Sequence, residues 1–195
     1  MTYQTAVAFR RALEDRLRRQ SLQTGMALTR LRKLVAFDRF LARLVQAQPD
    51  AWMLKGGLVL QLRLGDRARM TKDIDVLLTL PHPEVQRALV SASRLDLSDW
   101  FTFTLRAATA ALPGPGQGGL RFFVTAQVAG RVFESFHVDI GSGDLVIEPA
   151  ESLTMPPLLA FAGIPPATIP CYPLSQHLAE KVHAYVRPRA SGAST

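Results

Sequence analysis

Cysteine occurs once in this chain, at Cys171, so neither an internal disulfide nor a cysteine-based metal cage can form. Such scarcity is what a reducing compartment produces. No run of about eighteen apolar residues is present, and the polar, arginine-rich N-terminus lacks the apolar centre of a secretory leader. His82, His137, His177 and His183 show no metal-ligand spacing beyond the distant pair His177 and His183, and are expected to be structural or surface residues. No internal repeat occurs. These absences argue against secreted disulfide scaffolds, membrane spans and zinc modules, and the expectation is a soluble, cytoplasmic chain with no membrane association. Acidic residues are also in deficit, 16 against 23 lysines and arginines, a net charge of +7 with an isoelectric point near 10.3. That imbalance favours a polyanionic partner.

What is present suffices for a core: 195 residues, 48% of them hydrophobic, enough for one domain or two small lobes. Residues 5–47 read as two amphipathic helices broken at Gly25. Phe9, Leu13 and Leu17 form one apolar stripe, and Leu31, Leu34, Leu41 and Val45 the next. Arg10, Arg11, Arg16, Arg18, Arg19, Arg30, Arg32, Arg39 and Arg43 fall on the opposite faces, a basic surface for a nucleic-acid backbone or simply a solvated one. "AWMLKGG" reads as a strand running into a glycine turn, "LVLQLRLG" as a short helix ended by Gly65, "DIDVLLTL" as a strand closed by Pro81, and "HPEVQRALVSASRL" as a helix. Three β-type runs follow, "WFTFTLRAA", "LRFFVTAQVAG" and "RVFESFHVDIG", the last two joined by a hairpin turn at Ala129-Gly130-Arg131 and the first two by the flexible surface loop "LPGPGQGG". Seven prolines between Pro149 and Pro173 mark an irregular connector with short strands, separating the sheet from a last helix, "SQHLAEKVHAYVR". Ser175 is placed to cap that helix, with Leu178, Val182 and Tyr185 or Val186 as its buried face.

The chemistry concentrates in "LKGGLVLQLRLGDRARMTKDIDVLL". Residues i and i+2 of a strand project from one face, so Asp73 and Asp75 point together while Ile74 points away. Two crowded carboxylates call for protons or a divalent cation, and such oxygen ligands suit Mg²⁺. Asp139, in "FHVDI", would complete a two-cation site for phosphoryl or nucleotidyl transfer if its strand neighbours the first. Gly56 and Gly57 would then let backbone N–H groups approach phosphate oxygens at the start of the following helix. Alone, either motif reads equally as a turn or a solvated strand end; together they describe the two halves of one nucleotide site. Thr71, two residues before Asp73, is expected to share its face, where its hydroxyl could bond phosphate and a phosphate attached to it would repel a triphosphate. Arg63, Arg67, Arg69 and Lys72 are further cationic candidates, most of them expected to be solvated.

With these residues in view, the chain resembles the AbiEii/AbiGii toxin-type nucleotidyltransferases of the DNA polymerase β-like superfamily. "WMLKGGLVLQLRLGDRARMTKDIDVLL", "FHVDIG" and "PLSQHLAEKVHAYVRPR" carry the resemblance, which spans roughly residues 31–189. It implies an α/β (α+β) fold: N-terminal helices packed on the core over 1–50, a polymerase β-like nucleotidyltransferase core with a mixed sheet over 51–150, and a connector with the start of a C-terminal helical lobe over 151–195. It implies Asp73, Asp75 and Asp139 as ligands of two Mg²⁺ ions, Lys55, Gly56, Gly57 and Thr71 as nucleotide-binding residues, and Lys181 as the catalytic lysine that holds the triphosphate. The implied activity is transfer of a nucleotide from a nucleoside triphosphate to RNA, at the 3′ end of tRNA, so that translation stops; the implied partner is a cognate antitoxin. The family continues past the Ala-Glu-Lys helix into an Arg-x-Lys-Asp element whose aspartate could be the general base, whereas this chain reads "RPRASGAST". Alternatives are a catalytically inactive RNA- or partner-binding module of the same fold, and transfer to a small molecule or a protein.

Overall fold

A computed structural model describes residues 3–49, 51–78, 82–107, 119–141 and 149–186. The loop expected around residues 112–118, the closing role of Pro81 and the C-terminal "RPRASGAST" lie outside the described residues, as do the side chains of His82, His183 and Tyr185.

Helix α1 (Ala6–Thr24) starts where the Thr5 hydroxyl accepts from the Ala8 N–H, and stops at Gly25 with φ +73°. Helix α2 (Leu28–Ala47) follows. Their apolar stripes are buried as expected, Phe9, Leu13 and Leu17 meeting Leu31, Leu34 and Leu41 in one core. The arginines on their outer faces divide. Arg11, Arg16, Arg18 and Arg19 are exposed, but Arg39 and Arg43 are 3% and 0% exposed. This corrects the reading of a uniform basic surface. Arg43 forks onto Asp99 at 2.9 and 2.7 Å and also donates to the carbonyls of Arg39, Leu95 and Phe101. So complete a set of acceptors is what lets a buried guanidinium persist. It also clamps a loop in which Ser98 and Trp100 hold left-handed backbone, φ +53° and +65°.

The remaining elements are β1 (Trp52–Lys55), α3 (Gly56–Leu64), β2 (Asp73–Leu78), α4 (His82–Arg94), β3 (Phe101–Ala107), β4 (Leu120–Val128), β5 (Arg131–Gly141), β6 (Glu151–Thr154), β7 (Thr168–Cys171) and α5 (Leu174–Val186). Among the described residues one mixed sheet runs β3-β4-β5-β2-β1-β7-β6. β2 pairs parallel with β5, and β1 parallel with β7; the other neighbours are antiparallel. The proline-rich connector therefore does not stand apart from the sheet, because its two short strands extend the sheet beyond β1. One sheet face is apolar: Phe101, Phe103, Phe122, Val124, Phe136, Val138, Ile74 and Val76 are buried in the core that also holds the α1 and α2 stripes. The α4 residues Val85, Leu89 and Ala92 join it.

The β4–β5 hairpin turns on Ala129 and Gly130, both with positive φ, +52° and +69°, while Val128 pairs with Arg131. A two-residue turn of this hand matches strand twist but strains a residue bearing a Cβ. Ala129→Gly is expected to raise stability by about 0.5–1 kcal/mol, read as a higher denaturation midpoint; an unmoved midpoint would show the alanine to be unstrained.

Helix α5 departs from expectation twice. It begins at Leu174, so Ser175 lies inside its first turn rather than capping it. Its apolar stripe faces outward, Leu178, Val182 and Val186 being 50%, 62% and 65% exposed, whereas His177 is buried.

Candidate active site

The strand β1 passes into α3 without a loop. Lys55 is the extended residue before the helix, and Gly56 takes φ +72°, a conformation that favours glycine. Directly across the antiparallel ladder from Lys55 stands Asp75, and a Cβ on Gly56 would overlap the Asp75 carboxylate. A Cβ on Gly57 would come within 2.8 Å of the Thr71 hydroxyl oxygen. Both glycines thus make room for side chains from the β2 segment. The Gly57 N–H donates to Asp75, so this amide of the turn holds a carboxylate. Thr71 lies before β2. Its N–H donates to the buried Gln61 side chain at 3.1 Å, and its hydroxyl to the Asp73 carbonyl at 3.2 Å.

On β2, Asp73 and Asp75 alternate with buried Ile74 and Val76. Parallel pairing places Asp139 beside Asp75 and His137 beside Asp73, one strand spacing away, about 4.8 Å. The three predicted carboxylates therefore meet in adjacent register. Burial first, then the charges of Asp139 and Asp73, raise the Asp75 pKa above the ordinary carboxylate range, against the Gly57 amide and Lys55. A crowded set of hard oxygen donors of this kind fits a divalent cation. One ligand differs from expectation. Arg121, opposite Asp139 on β4, grips both of its oxygens at 2.7 and 2.5 Å. Hydrogen bonding to Asp139 raises the Arg121 pKa further. No cluster of three or more His, Cys, Asp or Glu side chains placed to hold a metal ion occurs among the described residues. Asp73 and Asp75 share one face of β2, and Asp139 is paired with Arg121.

A row of alternating charge thus crosses four strands: Arg121, Asp139, Asp75, Lys55. Beyond it, the Lys55 ammonium lies 5.7 Å from the Tyr172 ring centroid. Arg63 is the exception among the four further cations; it donates to Glu151 at 2.6 Å and to the Tyr172 carbonyl at 2.9 Å. Arg67, Arg69 and Lys72 are exposed. Lys181 is exposed on α5. Burial first, then Lys181, Arg63 and Lys55, lower the His177 pKa, which places those three cations around one histidine. Neither ring nitrogen of His177 has a hydrogen-bond partner among the described residues.

Sequence reasoning overlooked Arg121 and took His137 for a structural or surface residue. The signal for Arg121 is the alternation in "LRFFVTAQV": with Phe122 and Val124 inward, Arg121 must share the face that carries Asp139. His137 follows from Asp139 by the same two-residue step.

Comparison with known proteins bears on the family and the fold. The profile of the family described as nucleotidyl transferase AbiEii toxin, type IV toxin-antitoxin system, matches residues 39–193. Among solved structures, the chain is similar to the nucleotidyltransferase toxin MenT4 from Mycobacterium tuberculosis H37Rv, with a TM-score of 0.65 and 22% identity over 88% of this chain and 58% of that one. It is also similar to JHP933 from Helicobacter pylori, with a TM-score of 0.50 and 13% identity over 78% of this chain and 57% of that one. At such identities the likeness is one of fold, and the chain spans somewhat more than half the length of either protein. Among curated proteins none matches.

Proposed function

Because the chain belongs to the AbiEii nucleotidyl transferase toxin family of type IV toxin-antitoxin systems, we propose that it transfers a nucleotide from a nucleoside triphosphate to RNA, at the 3′ end of tRNA, and so blocks translation in the cytoplasm. The observation that carries this reading is the packing of Asp75 onto Gly56 with Asp73 and Asp139 in adjoining register. In the reaction an acceptor hydroxyl attacks the α-phosphorus in line, the bond to the bridging oxygen breaks, and pyrophosphate leaves. Two Mg²⁺ ions, held by Asp73 and Asp75 with Asp139 as third ligand, would polarise the phosphoryl oxygens and offset their charge. Lys55 and Lys181 would add ammonium charge for the triphosphate, and Gly56 leaves room for the Asp75 carboxylate to rest against the turn. Arg121 holds Asp139, and its planar fork suits a phosphate equally well. A cognate antitoxin would restrain the activity.

Purified protein incubated with Mg²⁺, each labelled nucleoside triphosphate and total tRNA should yield labelled RNA. The absence of label with every nucleotide would refute the reading. The arginine grip on Asp139 favours one alternative, a catalytically inactive module that binds RNA or a partner. Calorimetry separates the two. Mg²⁺-dependent triphosphate binding that is lost in Asp73→Asn belongs to the enzyme; RNA binding indifferent to that change, with no triphosphate binding, belongs to the module.

A further inference from the structure

The apolar face of the sheet is sealed, while the opposite face of β3–β5 is open and mostly small and polar. Thr102 and Thr104 on β3, Thr125 and Gln127 on β4, and Ser135 on β5 stand on it. One aromatic ring interrupts this pattern among the described residues of these strands. Phe123, 36% exposed, pairs across the ladder with His137 on one side and Arg106 on the other. The His137 ring stands edge-on to it, centroids 4.7 Å apart and planes at 83°. The Arg106 guanidinium lies 5.1 Å from its centroid. Asp73 pairs with His137, so a second row crosses four strands: Asp73, His137, Phe123, Arg106.

We propose that this row is the seat of the acceptor strand, with Phe123 a stacking platform for an unpaired RNA base whose backbone is held by Arg106 and which leads its terminal hydroxyl to the carboxylates. The proposal rests on the transferase reading for its choice of RNA. Three features argue for it. The ring is 36% exposed and the Arg106 guanidinium lies over it, so an incoming base would take the place of the guanidinium, which would turn to the phosphates. Arg106 brings a positive charge beside the ring, at the end of the row away from Asp73, matching a phosphate backbone. The distance suits as well: Phe123 stands two strand spacings from Asp73, about 10 Å, a span of a few stacked nucleotides at roughly 3.4 Å each. Inside a duplex each base face is covered by the neighbouring pair, so the platform favours an unpaired end.

The test is fluorescence anisotropy of a short labelled single-stranded oligoribonucleotide, without triphosphate and in EDTA, so that binding is read apart from catalysis. Phe123→Ala should weaken binding by about 5- to 150-fold, Phe123→Leu should fail to restore it, and Phe123→Tyr should restore it, with circular dichroism confirming that each variant folds. Arg106→Gln should reduce the slope of log affinity against log salt by about 0.7. Wild-type affinity in Phe123→Leu, an equal loss for a blunt duplex, or a loss confined to triphosphate binding would each overturn the platform. The outcome is separable from that of the transferase reading. If RNA is labelled with an unchanged KM for RNA in Phe123→Leu, the platform is wrong and the transferase stands; if RNA binds through Phe123 and is never labelled, the platform stands and the transferase reading falls.

Discussion

Replacing Asp75 by asparagine is expected to lower nucleotide incorporation by about 10³-fold and, in EDTA at neutral pH, to make the protein more stable. The activity loss follows because Asp75 is the central member of the carboxylate trio, standing beside Asp139 on one side and two residues from Asp73 on its own strand. The gain in stability follows from what raises its pKa: burial, then the like charges of Asp139 and Asp73. The folded carboxyl holds its proton more tightly than the unfolded one. Below the ordinary value of 3.8 both states are protonated and the aspartate carries no charge penalty. As pH rises through the elevated folded pKa, the native state must give up that proton at a cost, and wild-type stability falls. Asparagine has no such cost and can still accept the Gly57 amide. The variant should therefore melt higher at pH 7, on the order of 2–4 °C for each kcal/mol in a chain of this size, and lose that advantage in strong acid. Mg²⁺ should raise the wild-type midpoint more than that of the variant, narrowing the gap. A variant that melts lower than wild type in EDTA at pH 7 would show that Asp75 is a structural anchor rather than a strained ligand.

Gly56→Ala is the second large effect. Two costs add: a residue with a Cβ forced to φ +72°, about 1–3 kcal/mol, and the overlap of that Cβ with the Asp75 carboxylate, about 1–3 kcal/mol more. The sum, about 2–6 kcal/mol, is comparable with the whole stability of many domains. A double-mutant cycle divides it. In an Asp75→Ala background the contacts with the carboxylate disappear and only the one with the Cβ of residue 75, at 2.7 Å, remains beside the backbone strain, so the two changes should couple by 1 kcal/mol or more. Additive costs in chemical denaturation would place the whole penalty on the backbone and remove the close contact from the account. Nucleotide incorporation should fall in Gly56→Ala even at temperatures where the variant stays folded, because Asp75 can no longer rest against the turn.

Much of this is legible from local pattern. Asp73 and Asp75 flank Ile74, and strand alternation alone puts both on one face. Gly56 and Gly57 sit at a strand-to-helix junction, where chain direction changes too sharply for most residues. Phe9, Leu13 and Leu17 follow helical spacing and are buried as that spacing requires. What escapes local pattern is whatever depends on a partner distant in the chain. Arg43 reads as a surface arginine because nothing near it in sequence discloses that Asp99 will complete it. Asp139 reads as an available ligand until β4 delivers Arg121 to it. The stripe on α5 has helical period, so Leu178, Val182 and Val186 read as core; period states which residues share a face, not whether anything covers it. The proline-rich connector reads as separate for a related reason, since β7 is ordered by lying along β1 and carries only a weak strand signal of its own.

The parallel pairing of β2 with β5 also bears on when the proposed activity would appear during synthesis. A nascent chain that has emerged only as far as β3 contains both β2 acids and the glycine turn, yet has no neighbouring strand to supply the third acid or the arginine that balances it. Forming this contact demands closure of a long loop, so on the proposed reading competence would arrive with completion of the sheet. A fragment that ends between β2 and β5 lacks Asp139 and Arg121, and on the same reading it is expected to transfer no nucleotide.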